Sequence, residues 1–409
     1  MNYQDYFHQS LTQLKSEGRY RYFANLERCA GDFPYADYLA PEGRKRVVIW
    51  CGNDYLGMGQ NRTVIKAIKL ALDRCGAGAG GTRNISGTSR YHVELEHELA
   101  DLHNKDAALV FSSGYVANDA TLSTLGTLLP ECIIYSDAHN HASMIAGIRH
   151  SKAEKRIFRH NDAAHLRQLI AQDEPHRPKL IAFESVYSMD GDIAPIADFI
   201  EVAKEFNALT YLDEVHGVGM YGAKAGGIAQ EQHLQDHIDI IQGTLGKAFG
   251  LIGGYIAGSK ELVDFVRSHA AGFIFTTSLT PATAAGAVAS IKYLKTAKVE
   301  RERHQANAAL LRNKLTIAGI PFIHNHSHIV PVIVGDPVKC KAITDILLTE
   351  YHIYVQPINY PTVPKGTERL RLTPSAFHSE AMITDLVDAL QAVWQRLGLA
   401  GEQVAESAA

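Results

Sequence analysis

The chain has 409 residues, 46% of them hydrophobic and 21% charged, which is long enough for a large domain plus a smaller one and gives no compositional reason for disorder. A formal net charge of -4 excludes the basic excess that draws a whole protein to nucleic acid or to an anionic membrane, and no apolar run reaches a membrane span. Five scattered cysteines with no Cys-x-x-Cys pair exclude a zinc ribbon and a secreted disulfide framework, so small-molecule partners in a reducing cytoplasm are expected.

Residues 1–60 read as an amphipathic helix followed by an extended arm, and their start, with Asp5, His8 and Gln9 among apolar residues, resembles neither a signal nor a transit peptide. Val64 to Leu72 has helical spacing. Gly76, Gly78 and Gly81 then match a dinucleotide-binding glycine spacing, but a helix precedes them and the turn-like Thr82 to Gly87 follows, where a nucleotide site needs strand, loop and helix. From Ala107 onward short branched apolar runs alternate with helical segments, the pattern of an α/β domain with a largely parallel sheet over residues 61–280.

Ala107 to Phe111 reads as a strand, and Ser113, Gly114 and Tyr115 stand between it and a helical run from Ala117, where backbone amides can hold a phosphate. The strand Ile133 to Tyr135 leads into Ser136-Asp137-Ala138-His139-Asn140-His141, which offers an imidazole face to a flat ring; His139 and His141 as metal ligands is the alternative. Strands follow at Leu180 to Phe183, Leu209 to Leu212, Ile238 to Ile241 and Tyr255 to Ala257. Between the first two of these, Ile196, Phe199, Ile200 and Ala203 mark a helix with Pro195 in its first turn.

Asp213 ends the Leu209 strand, and a carboxylate there is costly to bury unless it is paired. A protonated pyridine nitrogen would pair it, with His216 within reach of a ring hydroxyl; a helix cap is the alternative. Lys247 lies in Gly243-Thr244-Leu245-Gly246-Lys247-Ala248-Phe249-Gly250, directly after a strand, where small neighbours let a flat ring approach the backbone and partial burial favours the neutral amine needed for Schiff-base chemistry. Thr244 adds a hydroxyl for a phosphate. A tight turn with a surface lysine is the alternative, and Ala248 after the lysine excludes a Walker loop.

After Leu279 a long helical stretch runs through Leu315 and gives way to an α+β pattern, defining a smaller domain over residues 281–409. His324, His326 and His328 alternate along an extended segment and read as solvated or structural. Arg371, on the predicted strand Arg369 to Leu372, is a candidate clamp for an amino-acid carboxylate or a surface salt bridge.

Together these residues resemble the α-oxoamine synthases, a family of fold type I pyridoxal-phosphate enzymes, over nearly the whole chain. The likeness includes Glu17-Gly18-Arg19-Tyr20-Arg21, Trp50-Cys51-Gly52-Asn53-Asp54-Tyr55-Leu56-Gly57-Met58-Gly59, the Gly76 to Thr88 stretch and Gln356-Pro357-Ile358-Asn359-Tyr360-Pro361-Thr362-Val363-Pro364, while Gly81-Thr82-Arg83-Asn84-Ile85-Ser86-Gly87-Thr88 resembles the aminolevulinate branch. The resemblance implies a large domain with a mostly parallel sheet plus a smaller α+β domain, pyridoxal 5'-phosphate as cofactor, and decarboxylative condensation of glycine with succinyl-CoA. It implies that Lys247 carries the cofactor and removes the glycine proton, that Asp213 pairs the ring nitrogen, that His141 stacks on the ring, and that Ser188, His216 and Thr244 touch the cofactor. Thr276 and Thr277 resemble a pair reaching the phosphate from the neighbouring subunit of a homodimer. Arg21, Ser136, Lys155 and Thr362 fall at positions used for succinyl-CoA, Asn53, Thr82 and Asn84 near its succinyl group, and Arg371 at that of the glycine carboxylate. Asn61-Arg62 and Ala79 depart from the usual pattern, and no Cys-Pro pair occurs, as in a bacterial cytoplasmic form. A sister enzyme with another acyl-CoA or amino acid, and a non-catalytic partner subunit, are the competing readings; a small Thr82 and a charged Arg21 favour the succinyl donor.

Overall fold

A computed structural model describes residues 1–399. The chain divides into two compact units, residues 58–188 with 192–301, and residues 1–57 with 189–191 and the C-terminal part from 302. The arm therefore falls in the same unit as the C-terminal segment.

The first unit is built on a seven-stranded sheet of Ala107–Phe111 (β1), Ile133–Asp137 (β2), Glu154–Phe158 (β3), Lys179–Glu184 (β4), Leu209–Asp213 (β5), Ile240–Thr244 (β6) and Gly254–Gly258 (β7), in the order β1-β7-β6-β5-β4-β2-β3. Strands β2 to β6 pair in parallel, and β7 runs antiparallel to both β1 and β6. Central strands are buried along their whole length, which is why they read as unbroken apolar runs rather than alternating ones. Strand β3 escapes that reading, since Glu154, Lys155 and Arg156 disguise an edge strand with only Phe158 fully buried. Strand β6 starts two residues later than its apolar run, because Asp239 is engaged by the backbone N–H and hydroxyl of Thr210. Pro195 is the residue before the first turn of helix Ile196–Glu205 rather than inside it.

At the carboxyl end of β1, Ser113 caps helix Gly114–Leu128 (α1), its hydroxyl accepting the Val116 N–H. Helix Ala142–His150 (α2) follows β2, capped by His141. Gly254 opens β7 against the start of α1, so close that a Cβ there would lie 2.4 Å from the backbone of Ser113 and Gly114. Only glycine permits this approach.

In the second unit, the arm is a sheet: Leu26–Arg28, Tyr35–Ala40 and Gly43–Ile49 pair antiparallel, and Ile353–Tyr354 adds in parallel to the last. Ala40 and Gly43 are register partners, so Pro41 and Glu42 make a two-residue hairpin loop. A three-stranded antiparallel sheet places Arg369–Leu372 between Val330–Ile333 and Pro357–Ile358. Its core gathers Trp50, Leu311, Leu315, Val330, Ile343, Leu370, Leu386 and Trp394. The single helical run expected after Leu279 is two helices, Pro281–Leu294, which belongs to the first unit, and Val299–Ile317, most of which belongs to the second.

Candidate active site

Parallel strands bring their carboxyl ends to one edge, where loops carry side chains that the helices leave uncovered. Asp213 ends β5, Glu184 ends β4 beside it in register, and Thr244 ends β6 three residues before Lys247. Asp213 is 3% exposed. Its carboxylate accepts from Asn118 Nδ2 at 2.7 Å and from the Val215 N–H at 2.8 Å. Burial pushes its pKa up, against the bonds from Asn118 and Val215 and the nearby His141 and Lys247, all of which favour the charged form. A buried carboxylate held so is completed by a cationic partner.

His141 lies on the same cluster. Its Nδ1 meets Ser143 Oγ at 2.7 Å, Ser143 Oγ accepts from Asn118 Nδ2 at 3.0 Å, and Tyr211 donates its hydroxyl to Asn118 Oδ1 at 2.8 Å. Asn118 thus ties Asp213 to the cap that orients His141. Burial holds His141 below its ordinary pKa, with Asp213 opposing and Lys247 reinforcing, which favours the neutral ring. The His141 N–H donates to Glu184 Oε1 at 2.5 Å, and burial first, then Asp213, raises Glu184 well above the carboxylate range.

The Thr244 hydroxyl donates to the Gly253 carbonyl at 2.9 Å and accepts the Gly246 N–H at 3.1 Å, which folds the loop before Lys247 back onto β6. A Cβ on Gly246 would find no atom closer than 3.4 Å, so that side of the loop is open, and a Cβ on Gly114 would lie 3.2 Å from the Thr244 hydroxyl. The N-terminus of α1, with first-turn N–H groups that no carbonyl of the helix can meet, therefore stands beside Thr244. Anion cradle, open loop and buried carboxylate together fit a phosphorylated, flat, cationic ring. Tyr115 is half exposed, Ser188 partly buried and His216 buried.

Other expected residues fall into groups. Thr82 bridges Thr277, and the Ser278 N–H donates to the Gly81 carbonyl at 3.1 Å, so the Thr82–Asn84 turn and the Thr276–Thr277 pair form one structural piece. Arg21 donates to Thr362 Oγ1 at 3.2 Å on the wall of a groove of about 590 Å³ shared with Tyr20, Tyr22 and Asn359. Arg371 donates to the Tyr55 hydroxyl at 2.8 Å and to Asn53 Oδ1 at 3.3 Å, and among the described residues no acceptor meets its buried Nε. Lys155 is exposed on β3, whereas Ser136 is buried with its hydroxyl accepting from Asn140 at 2.9 Å. His328 is buried against Tyr55 rather than solvated.

The model of the class I and II aminotransferases matches residues 45–390. A 5-aminolevulinate synthase of Rhizobium meliloti is 59% identical over 98% of this chain and 99% of its own length. Another, from Paracoccus denitrificans, is 59% identical over 98% of each. The chain belongs to the 5-aminolevulinate synthase family, within the class I and II aminotransferases. Among solved structures, a serine palmitoyltransferase with pyridoxal phosphate superposes with a TM-score of 0.90 at 32% identity, covering 97% of this chain and 98% of its own. The resemblance read from the sequence and the α/β fold with its parallel core are both borne out by these likenesses.

Sequence reasoning missed Asn118, Glu184 and Tyr55. Asn118 lies in the second turn of α1 next to Asp119, where nothing in the local spacing sets it apart, and only its burial in the structure marks it. Glu184 closes an apolar strand as Asp213 does, so the signal that marked Asp213 was there to mark it too.

Proposed function

We infer that this chain makes 5-aminolevulinate by condensing glycine with succinyl-CoA, releasing CoA and carbon dioxide, with pyridoxal phosphate as cofactor. The observation that carries the reading is the 59% identity to a 5-aminolevulinate synthase across 98% of the chain, and the buried Asp213 beside His141 and Lys247 supports the chemistry. When bound, the cofactor supplies a carbonyl that captures amines and a protonated ring that draws off the electron pair released at the substrate carbon.

The chain's residues do the rest. Asp213 keeps a fixed negative charge for the ring nitrogen, and the Lys247 amine takes the proton from the glycine α-carbon. His141, neutral and capped by Ser143, flanks the ring, with Ser188 and His216 at its edge. Ser113, Gly114, Tyr115 and Thr244 hold the phosphate through the N-terminus of α1. Arg371, steadied by Tyr55 and Asn53, binds the glycine carboxylate through its guanidinium. Arg21 with Thr362 receives the succinyl carboxylate, Asn53, Thr82 and Asn84 line the acyl chain, and Ser136 and Lys155 meet CoA. The enzyme works as a homodimer in which Thr276 and Thr277 serve the neighbouring subunit. The exposed, unpaired Cys29 and Cys75 suit the reducing cytoplasm.

The test is a product assay with glycine and a panel of acyl-CoAs, together with borohydride reduction of the holoenzyme. 5-Aminolevulinate from succinyl-CoA and cofactor fixed on Lys247 are expected. Turnover confined to another acyl-CoA, or label on a different lysine, overturns the assignment. For the dimer, mixing Lys247→Ala with a Thr82-loop variant restores part of the activity; mixed dimers without recovery refute shared sites.

A further inference from the structure

A cluster that the chemistry above leaves unused lies one strand away from His141. His160, just beyond β3, stands between two carboxylates: its Nδ1 is 2.8 Å from Asp137 Oδ1 and its Nε2 is 2.7 Å from Asp192 Oδ2. Two carboxylate acceptors require a proton on both nitrogens, so the ring is an imidazolium. Burial pulls its pKa down, but the bonds to Asp137 and Asp192 outweigh burial and lift it to about 10.

The remaining contacts of this cluster converge on the loop that presents His141. Asp137, the last residue of β2, accepts the His139 N–H at 2.8 Å and the Asn161 N–H at 2.9 Å. The Ala138 N–H donates to the Phe158 carbonyl at 3.1 Å. The His139 ring stacks on His160 at 4.0 Å with 18° between planes, and Tyr187 abuts His160 edge-on at 4.4 Å. On the far side, Asn161 Nδ2 donates to Asp192 Oδ2 at 2.6 Å, and the Asp192 carbonyl accepts the Tyr187 N–H at 3.1 Å, one residue before Ser188. One cation therefore pins two loops. Without it, the buried Asp137 and the partly buried Asp192 would be left as like charges with no cation between them, and the three residues between β2 and His141 would lose their outer support.

We propose that His160, by bridging Asp137 and Asp192, is a positioning residue that fixes the His141 loop and the Ser188 turn in the orientation that the cofactor ring requires. The proposal rests on the reading of His141 as the ring-stacking residue. Such a residue has to be held within about 0.5 Å of its working position by the groups behind it.

The test compares His160→Gln, His141→Ala and the double variant by visible circular dichroism of the bound cofactor and by cofactor titration. Thermal unfolding of each apoprotein is followed alongside. His160→Gln is expected to weaken cofactor binding by roughly tenfold and to shrink the visible dichroic band, with no further loss when it is added to His141→Ala. Normal dichroism and affinity in His160→Gln, or losses that add fully in the double variant, overturn the proposal while leaving the role of His141 standing. Normal behaviour of His141→Ala overturns both. If His160→Gln does not fold, Asp192→Asn, which weakens one arm of the bridge, must show the same change at smaller amplitude, and its absence refutes the idea.

Discussion

Gly254→Ala tests whether the cofactor-binding edge depends on the contact between β7 and α1. The new Cβ would lie 2.4 Å from the Gly114 nitrogen and from the carbonyl carbon and oxygen of Ser113, all of them backbone atoms with no rotamer to escape into. Ordinary contact begins about 1 Å farther out, so either β7 or the start of α1 must move by about that much. Overpacking of this kind costs ~1–3 kcal/mol, and moving an anion-binding helix end by about 1 Å should weaken the phosphate contact further. The assay is urea unfolding of the apoprotein together with absorbance titration of the cofactor. Lower stability by ~1–3 kcal/mol and at least roughly tenfold weaker cofactor binding are expected. Gly78→Ala, where a Cβ meets nothing within 4 Å, is the neutral control. If Gly254→Ala matches that control in both measurements, the packing of β7 does not set the position of α1.

Asp213→Asn should keep some cofactor but lose most activity, because an amide no longer favours a protonated ring; near-normal turnover would remove Asp213 from the mechanism. Arg21→Leu should lose roughly ten- to a hundredfold in kcat/KM with succinyl-CoA, the worth of a charge-assisted pair, and little with butyryl-CoA. Equal losses on both donors would make Arg21 structural. Acid should destabilise the fold through His103, which is fully buried against the Tyr255 hydroxyl at 2.8 Å and pushed down to about 3, by burial first and then by Lys105 and Lys295. Because its folded pKa lies below the unfolded value, the stability it contributes is complete above about pH 6.5 and is lost as pH falls toward 3, about 2 kcal/mol by pH 5. Urea midpoints from pH 7 to 5 should therefore fall less steeply in His103→Leu than in the natural chain, and parallel slopes would refute this.

Much of the candidate site was legible because its chemistry sits at strand ends. A glycine-rich loop around Lys247 and a carboxylate closing an apolar strand are local signals, and the strands β1, β2 and β4 to β7 that carry them are apolar runs that show without any partner. The charged edge strand β3 and the arm sheet were not legible. Strand β3 is broken up by charges, and the branched run Val47-Val48-Ile49 in the arm does not tell that Ile353–Tyr354 completes its sheet from some 300 residues away in the chain.

By itself the sequence determined the α/β class and the family, and it pointed to the lysine, carboxylate and histidine of the candidate site, since each depends on residue type and short spacing. Only the tertiary structure decided how those groups are held. Asn118 reaches Asp213 across 95 positions, Tyr55 reaches Arg371 across 316, and His160 joins two aspartates 55 positions apart in the chain. A hydrogen bond is a matter of a few ångströms and of direction, and no periodicity along a chain encodes which distant donor the fold will bring to a buried acceptor.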